Sequence, residues 1–424
     1  MKTVGIIAEY NPFHNGHKFH IEKAKELTGA DCAIVIMSGD FVQRGEPACI
    51  DKYARVEAAL QNGADAVFEL PHYYALGNAE HFAMGAVAML DKLGITDAIC
   101  FGSECGDVKP LHEIAEVLSE EPLSYQTVLK AGLKKGMTYP AASAAALIAH
   151  FNDEAINDTI SQPNNILGIY YMKALLTRGS SIKPYTLLRH GNHYHDNQLN
   201  DDDISNANVS ERTQILSSAL SIRNSLDASG NALADLSAHM PDSAYSILQQ
   251  KYGISFPIVS DDFTEILGYR LLNEREHGFA DYIDVSDNLS DRIVNEFSRY
   301  TSLSDFCNLL KTKDFTYARV NRALMHIMLG MHNDTLAEYI RNDYIAYARL
   351  LGFKNDSSKL LTAIKEHASV PLISKLADAK NTLSQKAYAM LQEDVYASHV
   401  YQLAVAGKFH TTVSNEYTCK IVKI

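Results

Sequence analysis

Over roughly its first hundred residues this chain alternates short, unbroken apolar runs with single amphipathic helices, and that pattern limits its fold more than any other feature. Val4–Ala8, Cys32–Met37, Ala66–Leu70 and Ala98–Phe101 read as strands. Helical spacing predicts helices from about Gly16 to Leu27, from about Asp51 to Asn62 and over Ala79–Lys92, with stops at Gly29, Gly63 and Gly94. Strands that are apolar throughout are buried on both faces. Strands of that kind, separated by single helices, build a parallel sheet through right-handed βαβ crossovers. The expected class is therefore α/β, with a Rossmann-like parallel-sheet domain. Ligands on such sheets bind beyond the carboxyl ends of the strands, so the loops after the first, second and fourth strands are where chemistry should lie.

Further along, Lys109–Thr177 is mainly helical, interrupted by the turn-like Gln162-Pro163-Asn164-Asn165. Ile182–Leu188 reads as one more strand, and the acidic run His195–Asn208 as a surface loop. A helix starts near Ser218 and carries Ile222 and Leu226. Beyond about residue 235 the pattern is almost wholly helical. With 424 residues in all, two domains are expected: 1–230, catalytic and α/β, and 231–424, α-helical.

No apolar run reaches the roughly 18 residues of a membrane span, and the N-terminus lacks the basic-then-apolar pattern of a leader, so a cytoplasmic protein is expected. The six cysteines form no CxxC pair, which favours free thiols over zinc or disulfides. A net charge of -13 argues against nucleic-acid binding by the whole surface, but leaves room for a local basic groove.

The loop after the first strand, Asn11-Pro12-Phe13-His14-Asn15-Gly16-His17, leads into a helix. Free backbone N–H groups and the helix dipole favour an anion there, and Gly16 lets a ligand approach the backbone. His14 and His17 are three apart, so both rings can face the same side and stabilise charge on a transferring phosphoryl group, with Lys18 adding a cation. Zinc would need a third ligand that the spacing does not supply. Neither GxxxxGK[ST] nor GxGxxG is present. The loop Ser38–Pro47 carries Gln43, Arg44 and Glu46. Arg44 suits a carboxylate or an RNA phosphate, or equally a surface ion pair with Glu46.

His14-Asn15-Gly16-His17 matches the HxGH signature of the nucleotidyltransferase superfamily, and Ser218-Ala219-Leu220-Ser221-Ile222-Arg223 resembles its ISSTxIR-like second signature. The runs GIIAEYNPFHNGHKFH, MSGDFVQRGEPACIDKYARVEAAL, FELP, FGSECGD and QPNNILGIYYMKALL together resemble the tRNA(Met) cytidine acetate ligase family. FTYARVNRALMHIMLG and ISKLADAKNTLSQKAYAMLQEDVYASHVY extend the likeness into the helical half. Tyr53, Tyr170 and Tyr171 depart from the family pattern, as does the histidine-rich His190-Gly191-Asn192-His193, which is not read as a metal site.

The resemblance implies an ATP-dependent enzyme that makes acetyl-adenylate from acetate and passes the acetyl group to N4 of the wobble cytidine of elongator tRNA(Met). ATP, arriving as Mg-ATP, would be a substrate, with no tightly bound cofactor, no membrane and no obligate protein partner. It also implies an ATP site made of Ile7, Ala8, Glu9, Tyr10, Asn11, Pro12, Phe13, His14, Asn15, Gly16, His17, Lys18, Phe19 and His20, with Gly102, Asn164, Arg189, Ser221 and Arg223. His14, His17 and Lys18 would be catalytic; whether Asn164 or its neighbour Asn165 makes the nucleotide contact stays open. In the helical half, Lys311, Lys313, Arg319 and Arg322 are interleaved with tyrosine and suit RNA phosphates and bases, or a solvated helix face. Two other readings fit HxGH alone: a small-molecule adenylyltransferase, and a nucleotide-dependent RNA-binding protein without turnover.

Overall fold

The computed structural model describes residues 1–189, 219–228 and 232–424. In chain order the strands are β1 (Thr3–Ala8), β2 (Cys32–Ser38), β3 (Phe41–Val42), β4 (Glu46–Pro47), β5 (Ala66–Leu70), β6 (Ala98–Ser103) and β7 (Lys183–Leu188). β1, β2, β5, β6 and β7 are parallel and lie in the order β5-β2-β1-β6-β7. That order reverses beside β1, so the crevice between the carboxyl ends of β1 and β6 is the natural ligand position of an open α/β sheet.

Both faces of the sheet are covered, which is why its inner strands are largely apolar, with Glu69 on β5 as a buried exception. Val4, Ile6, Val35 and Met37 pack on one side with Ile21, Ala24 and Val56. Ile34, Ile36, Phe68 and Ile99 pack on the other under the helix Ala79–Lys92, whose residues Phe82 to Leu90 are all buried. The helix Asn15–Thr28 ends on Gly29 as expected, and the helix Lys52–Gln61 ends just before Gly63. Lys109–Thr177 resolves into five helices, the last being Pro163–Arg178. The loop Ser38–Pro47 is tighter than expected, because β3 and β4 pair as an antiparallel hairpin.

The C-terminal half is mainly helical, but not wholly so. It contributes β8 (Ala348–Phe353), β9 (Leu372–Ile373) and β10 (Val422–Lys423) to the same sheet. β8 runs antiparallel to β5, and β9 and β10 run parallel to β8. The sheet thus continues into the second half of the chain. A short apolar run such as ARLLGF has no periodicity that separates a doubly buried strand from a buried helix, which is why the sequence reading takes it as helical. The division expected near residue 230 falls at 229–231, outside the described residues, as do Ser218, His190–His193 and His195–Asn208.

A buried ionic cluster ties this half to the sheet. Lys52 is 1% exposed and its Nζ lies 2.7 Å from Glu69 Oε1, 2.6 Å from Glu416 Oε1 and 2.7 Å from Ser398 Oγ. Arg349, on β8, pairs with Glu69 and Glu416, and Tyr53 donates to Glu416 over 3.0 Å.

Candidate active site

The loop from Glu9 to His14 is irregular, with Tyr10 at φ 51°, so its backbone oxygens must find donors elsewhere. Two guanidinium groups supply them. The buried Arg55 donates to the carbonyls of Glu9 (2.7 Å), Ser38 (3.0 Å), Ile50 (3.1 Å) and Gly39, tying the ends of β1 and β2 together. Arg223 donates through Nη1 to Asn11 O (2.9 Å) and through Nη2 to Glu46 Oε2 (3.3 Å). Asn11 Oδ1 accepts the Cys49 N–H at 2.8 Å.

His14 caps the helix Asn15–Thr28. Its Nδ1 accepts the Gly16 N–H at 3.1 Å, and His17 Nδ1 accepts the His14 N–H at 3.2 Å. The rings stack with centroids 3.6 Å apart, and Tyr10 meets His17 edge-on at 4.8 Å. A ring nitrogen that accepts a hydrogen bond carries no proton, so both imidazoles are Nε2–H tautomers. Burial, helped by the nearby Arg189 charge, lowers the His14 pKa to about 3 and holds that of His17 well below its usual value. Both rings are therefore neutral donors at physiological pH. His20 is pushed down to about 4 for the same reasons.

One expectation changes here. The first backbone N–H groups of this helix are already engaged: Asn15 donates to His239 O (3.1 Å), Gly16 to His14 Nδ1, and His17 to His14 O (2.9 Å). Side-chain donors, among them the imidazole Nε2–H groups, are what this loop can turn to an anion, and the helix dipole acts behind them.

The second half of the site lies at the end of β6. Arg189 donates its backbone N–H to Ser103 O (3.0 Å) and its Nη1 to Asn164 Oδ1 (3.2 Å). A Cβ on Gly102 would come within 3.1 Å of Arg189 Cγ, so a larger residue there would push on that side chain. Asn165 is 2% exposed and used by the fold: its Oδ1 accepts the N–H groups of Glu104 (2.9 Å) and Cys105 (3.2 Å), and its Nδ2 donates to Thr159 O. Of the two amides, Asn164 is therefore the one placed beside Arg189. Ser221, 1% exposed, lies on the helix Ala219–Ala228 that also delivers Arg223.

The sequence-derived residues thus gather at one crevice: Ile7 to His17 from the end of β1 into the helix after it, Gly102 near the end of β6, Asn164 at the start of the helix Pro163–Arg178, Arg189 just after β7, and Arg223 from the later helix. Lys18 is half-buried one residue further along the helix, and Phe19 is exposed. Glu9 is held by the Gln43 N–H at 2.9 Å, and burial raises its pKa against the pull of Arg223 and Arg44. Glu46 faces Arg223, Nη2 to Oε2 3.3 Å.

The residues expected to meet RNA are less uniform. Lys311 and Lys313 are exposed, and Arg319 lies over the Phe315 ring at 5.4 Å. Arg322 is instead turned to Asp284, Nε to Oδ2 2.7 Å, with its side chain 14% exposed. Its helix Tyr317–Leu329 packs against the β3–β4 hairpin so closely that a Cβ on Gly45, at φ 78°, would lie 2.4 Å from Arg322 N. Sequence reasoning missed Arg55, Glu104, Asp284 and His239. Arg55 and Glu104 stand in the MSGDFVQRGEPACIDKYARVEAAL and FGSECGD runs, whereas nothing in the sequence distinguishes Asp284 or His239.

The chain matches the model of the HIGH Nucleotidyl Transferase family over residues 1–416. It is 38% identical to a tRNA(Met) cytidine acetate ligase of Acetivibrio thermocellus, with 100% of both chains covered. It is 37% identical to the enzyme of that name from Bacillus subtilis (strain 168), over 97% of this chain and 94% of that one. The chain belongs to the tRNA(Met) cytidine acetate ligase family. Its fold matches the crystal structure of Thermotoga maritima TmcAL bound with alpha-thio ATP, with a TM-score of 0.89 and 29% identity over 100% of this chain and 99% of that one. The apo form of that protein matches with a TM-score of 0.91. Family membership accounts for the paired HxGH imidazoles and for the sheet that carries them. Among the described residues no helix is long and apolar enough to cross a membrane.

Proposed function

We propose that this chain is an ATP-dependent acetate ligase that acetylates N4 of the wobble cytidine of elongator tRNA(Met). The observation that carries the reading is the stacked pair His14 and His17, both fixed as neutral Nε2–H donors at the β1 switch point, with Arg223 donating to the same loop and the Arg189 charge nearby. An acetate oxygen attacks the α-phosphorus of ATP, and the bond to the bridging oxygen of pyrophosphate breaks. The imidazoles donate to the phosphoryl oxygens as charge builds on the transferring group, which is stabilisation by preorganised dipoles in a partly water-excluded site. In the second step the cytidine N4 amine attacks the acetyl carbonyl, AMP leaves, and the amine proton is lost. The mixed anhydride is already electrophilic, so proximity supplies much of the second rate, and no protein nucleophile is required.

In this reading Gly102 and Asn164 receive the nucleoside, while Arg189 and Arg223 face the phosphates. ATP arrives as Mg-ATP. Residues 231–424, with Lys311, Lys313 and Arg319, form the RNA side. A splayed anticodon base is easier to admit than a paired one. The enzyme works in the cytoplasm, where its tRNA is. The test is pyrophosphate exchange into ATP, run with acetate, nicotinate mononucleotide or phosphopantetheine. Exchange that depends on acetate and needs no RNA supports the ligase. Exchange only with another acceptor refutes it.

A further inference from the structure

Two helix N-termini flank the crevice between β1 and β6. At the helix Asn15–Thr28 the first N–H groups meet His14 Nδ1, His14 O and His239 O. The helix Pro163–Arg178 begins with a proline, which has no N–H, and its Gln162 cap supplies no side-chain acceptor. Here the Glu104 carboxylate does that work. Oε1 accepts the Asn164 N–H (3.2 Å) and Asn164 Nδ2 (2.6 Å), and Oε2 accepts the Asn165 N–H (2.8 Å). The next N–H, from Ile166, goes to Gln162 O at 3.0 Å. Asn165 Oδ1 returns the favour by accepting the Glu104 and Cys105 N–H groups. Glu104 and the helix start are thus locked reciprocally, and the dipole at this end is neutralised by a full negative charge.

We propose that Glu104 is a positioning residue that fixes how the nucleoside of ATP is received, a claim that rests on the ATP-binding reading above. Its Oε1 holds Asn164 Nδ2, which leaves Asn164 Oδ1 aimed at Arg189 Nη1. The carboxamide therefore has one orientation, and a ribose or base beside Gly102 meets a single amide edge. The triphosphate lies over His14 and His17, so loss of this hold should act on the nucleoside and not on the phosphates.

The experiment measures binding of ATP and of inorganic tripolyphosphate separately, by titration calorimetry on the full chain. Glu104→Ala is expected to weaken ATP about tenfold or more while leaving tripolyphosphate binding unchanged. Glu104→Gln keeps one acceptor; it should weaken ATP less and leave tripolyphosphate binding unchanged. Asn164→Ala should reproduce the ATP loss and add little to Glu104→Ala, because both remove the same contact. Wild-type ATP affinity in both Glu104 variants overturns the proposal, as does a parallel loss of both ligands, which would mark a merely structural role. Should Glu104→Ala not fold, Glu104→Gln decides by the same criteria. His14→Ala separates this claim from the one beneath it: if tripolyphosphate binds that variant as well as wild type, the placement of the triphosphate is wrong whatever Glu104 does.

Discussion

Replacing Glu416 by glutamine keeps the shape of the buried cluster and removes one charge from it. Glu416 is 3% exposed and lies near the end of the chain, yet it closes the Lys52–Arg349 site between β5 and β8. Burial alone would raise its pKa, but the two cations override that and hold it at about 2, against an ordinary value of 4.5. Each tenfold change in proton affinity is worth about 1.4 kcal/mol, so the carboxylate contributes about 3 kcal/mol at neutral pH. The independent expectation for breaking a buried ion pair, about 3–5 kcal/mol, agrees. The pH dependence follows from the sign. A carboxylate with a depressed folded-state pKa stabilises above its unfolded value, and the contribution is lost as pH falls from 4.5 towards 2. Urea denaturation of the wild type and Glu416→Gln, followed by circular dichroism at several pH values, should show a constant gap above about pH 5 that closes on acidification. A gap under about 1 kcal/mol at pH 7, or one that persists undiminished at pH 3, would refute the reasoning.

Other perturbations separate the two halves of the site. Arg319→Ala combined with alanine at Lys311 and Lys313 should weaken tRNA acetylation and leave acetate-dependent pyrophosphate exchange intact; unchanged acetylation would remove these residues from the RNA face. Arg322→Ala should instead lower stability, by about 2 kcal/mol, because it strands Asp284 without its charged partner; a denaturation midpoint equal to wild type would count against it. Gly45→Ala places a Cβ against the backbone of the helix Tyr317–Leu329 at a positive φ, and should cost at least about 1–2 kcal/mol in thermal unfolding. Because burial keeps the His14 pKa near 3, kcat/KM for ATP in the exchange reaction should show no His14 inflection between pH 5 and 8. Stability should fall on acidification from 6.5 towards 3, where the unfolded chain binds the proton first. An inflection near pH 6.5 that His14→Asn abolishes would show the ring to be a titrating acid.

Much of the nucleotide-binding half was legible because its signals are local. β1, β2, β5 and β6 are short, largely apolar runs, and the strand–HxGH–helix sequence sets the switch point directly. What escaped depends on distant partners. β8 has the same apolar content as a buried helix, and only its pairing with β5 makes it a strand. Arg319 and Arg322 stand one helical turn apart and look equivalent, until Asp284 on another segment claims one of them.

The two asparagines make the limit sharpest. Asn164 and Asn165 are adjacent, identical and both at a helix start, so composition, spacing and propensity treat them alike. They differ because successive helical residues point about 100° apart. One carboxamide turns inward, where the N–H groups of Glu104 and Cys105 need an acceptor; the other turns along the crevice to Arg189. The inward residue satisfies groups that burial would otherwise leave unpaired, so it is tied to the fold. The outward one is then left in a single orientation for a ligand. Which of the two is free to serve the proposed nucleotide site thus depends on what its neighbour has already taken, and only three-dimensional placement reveals it.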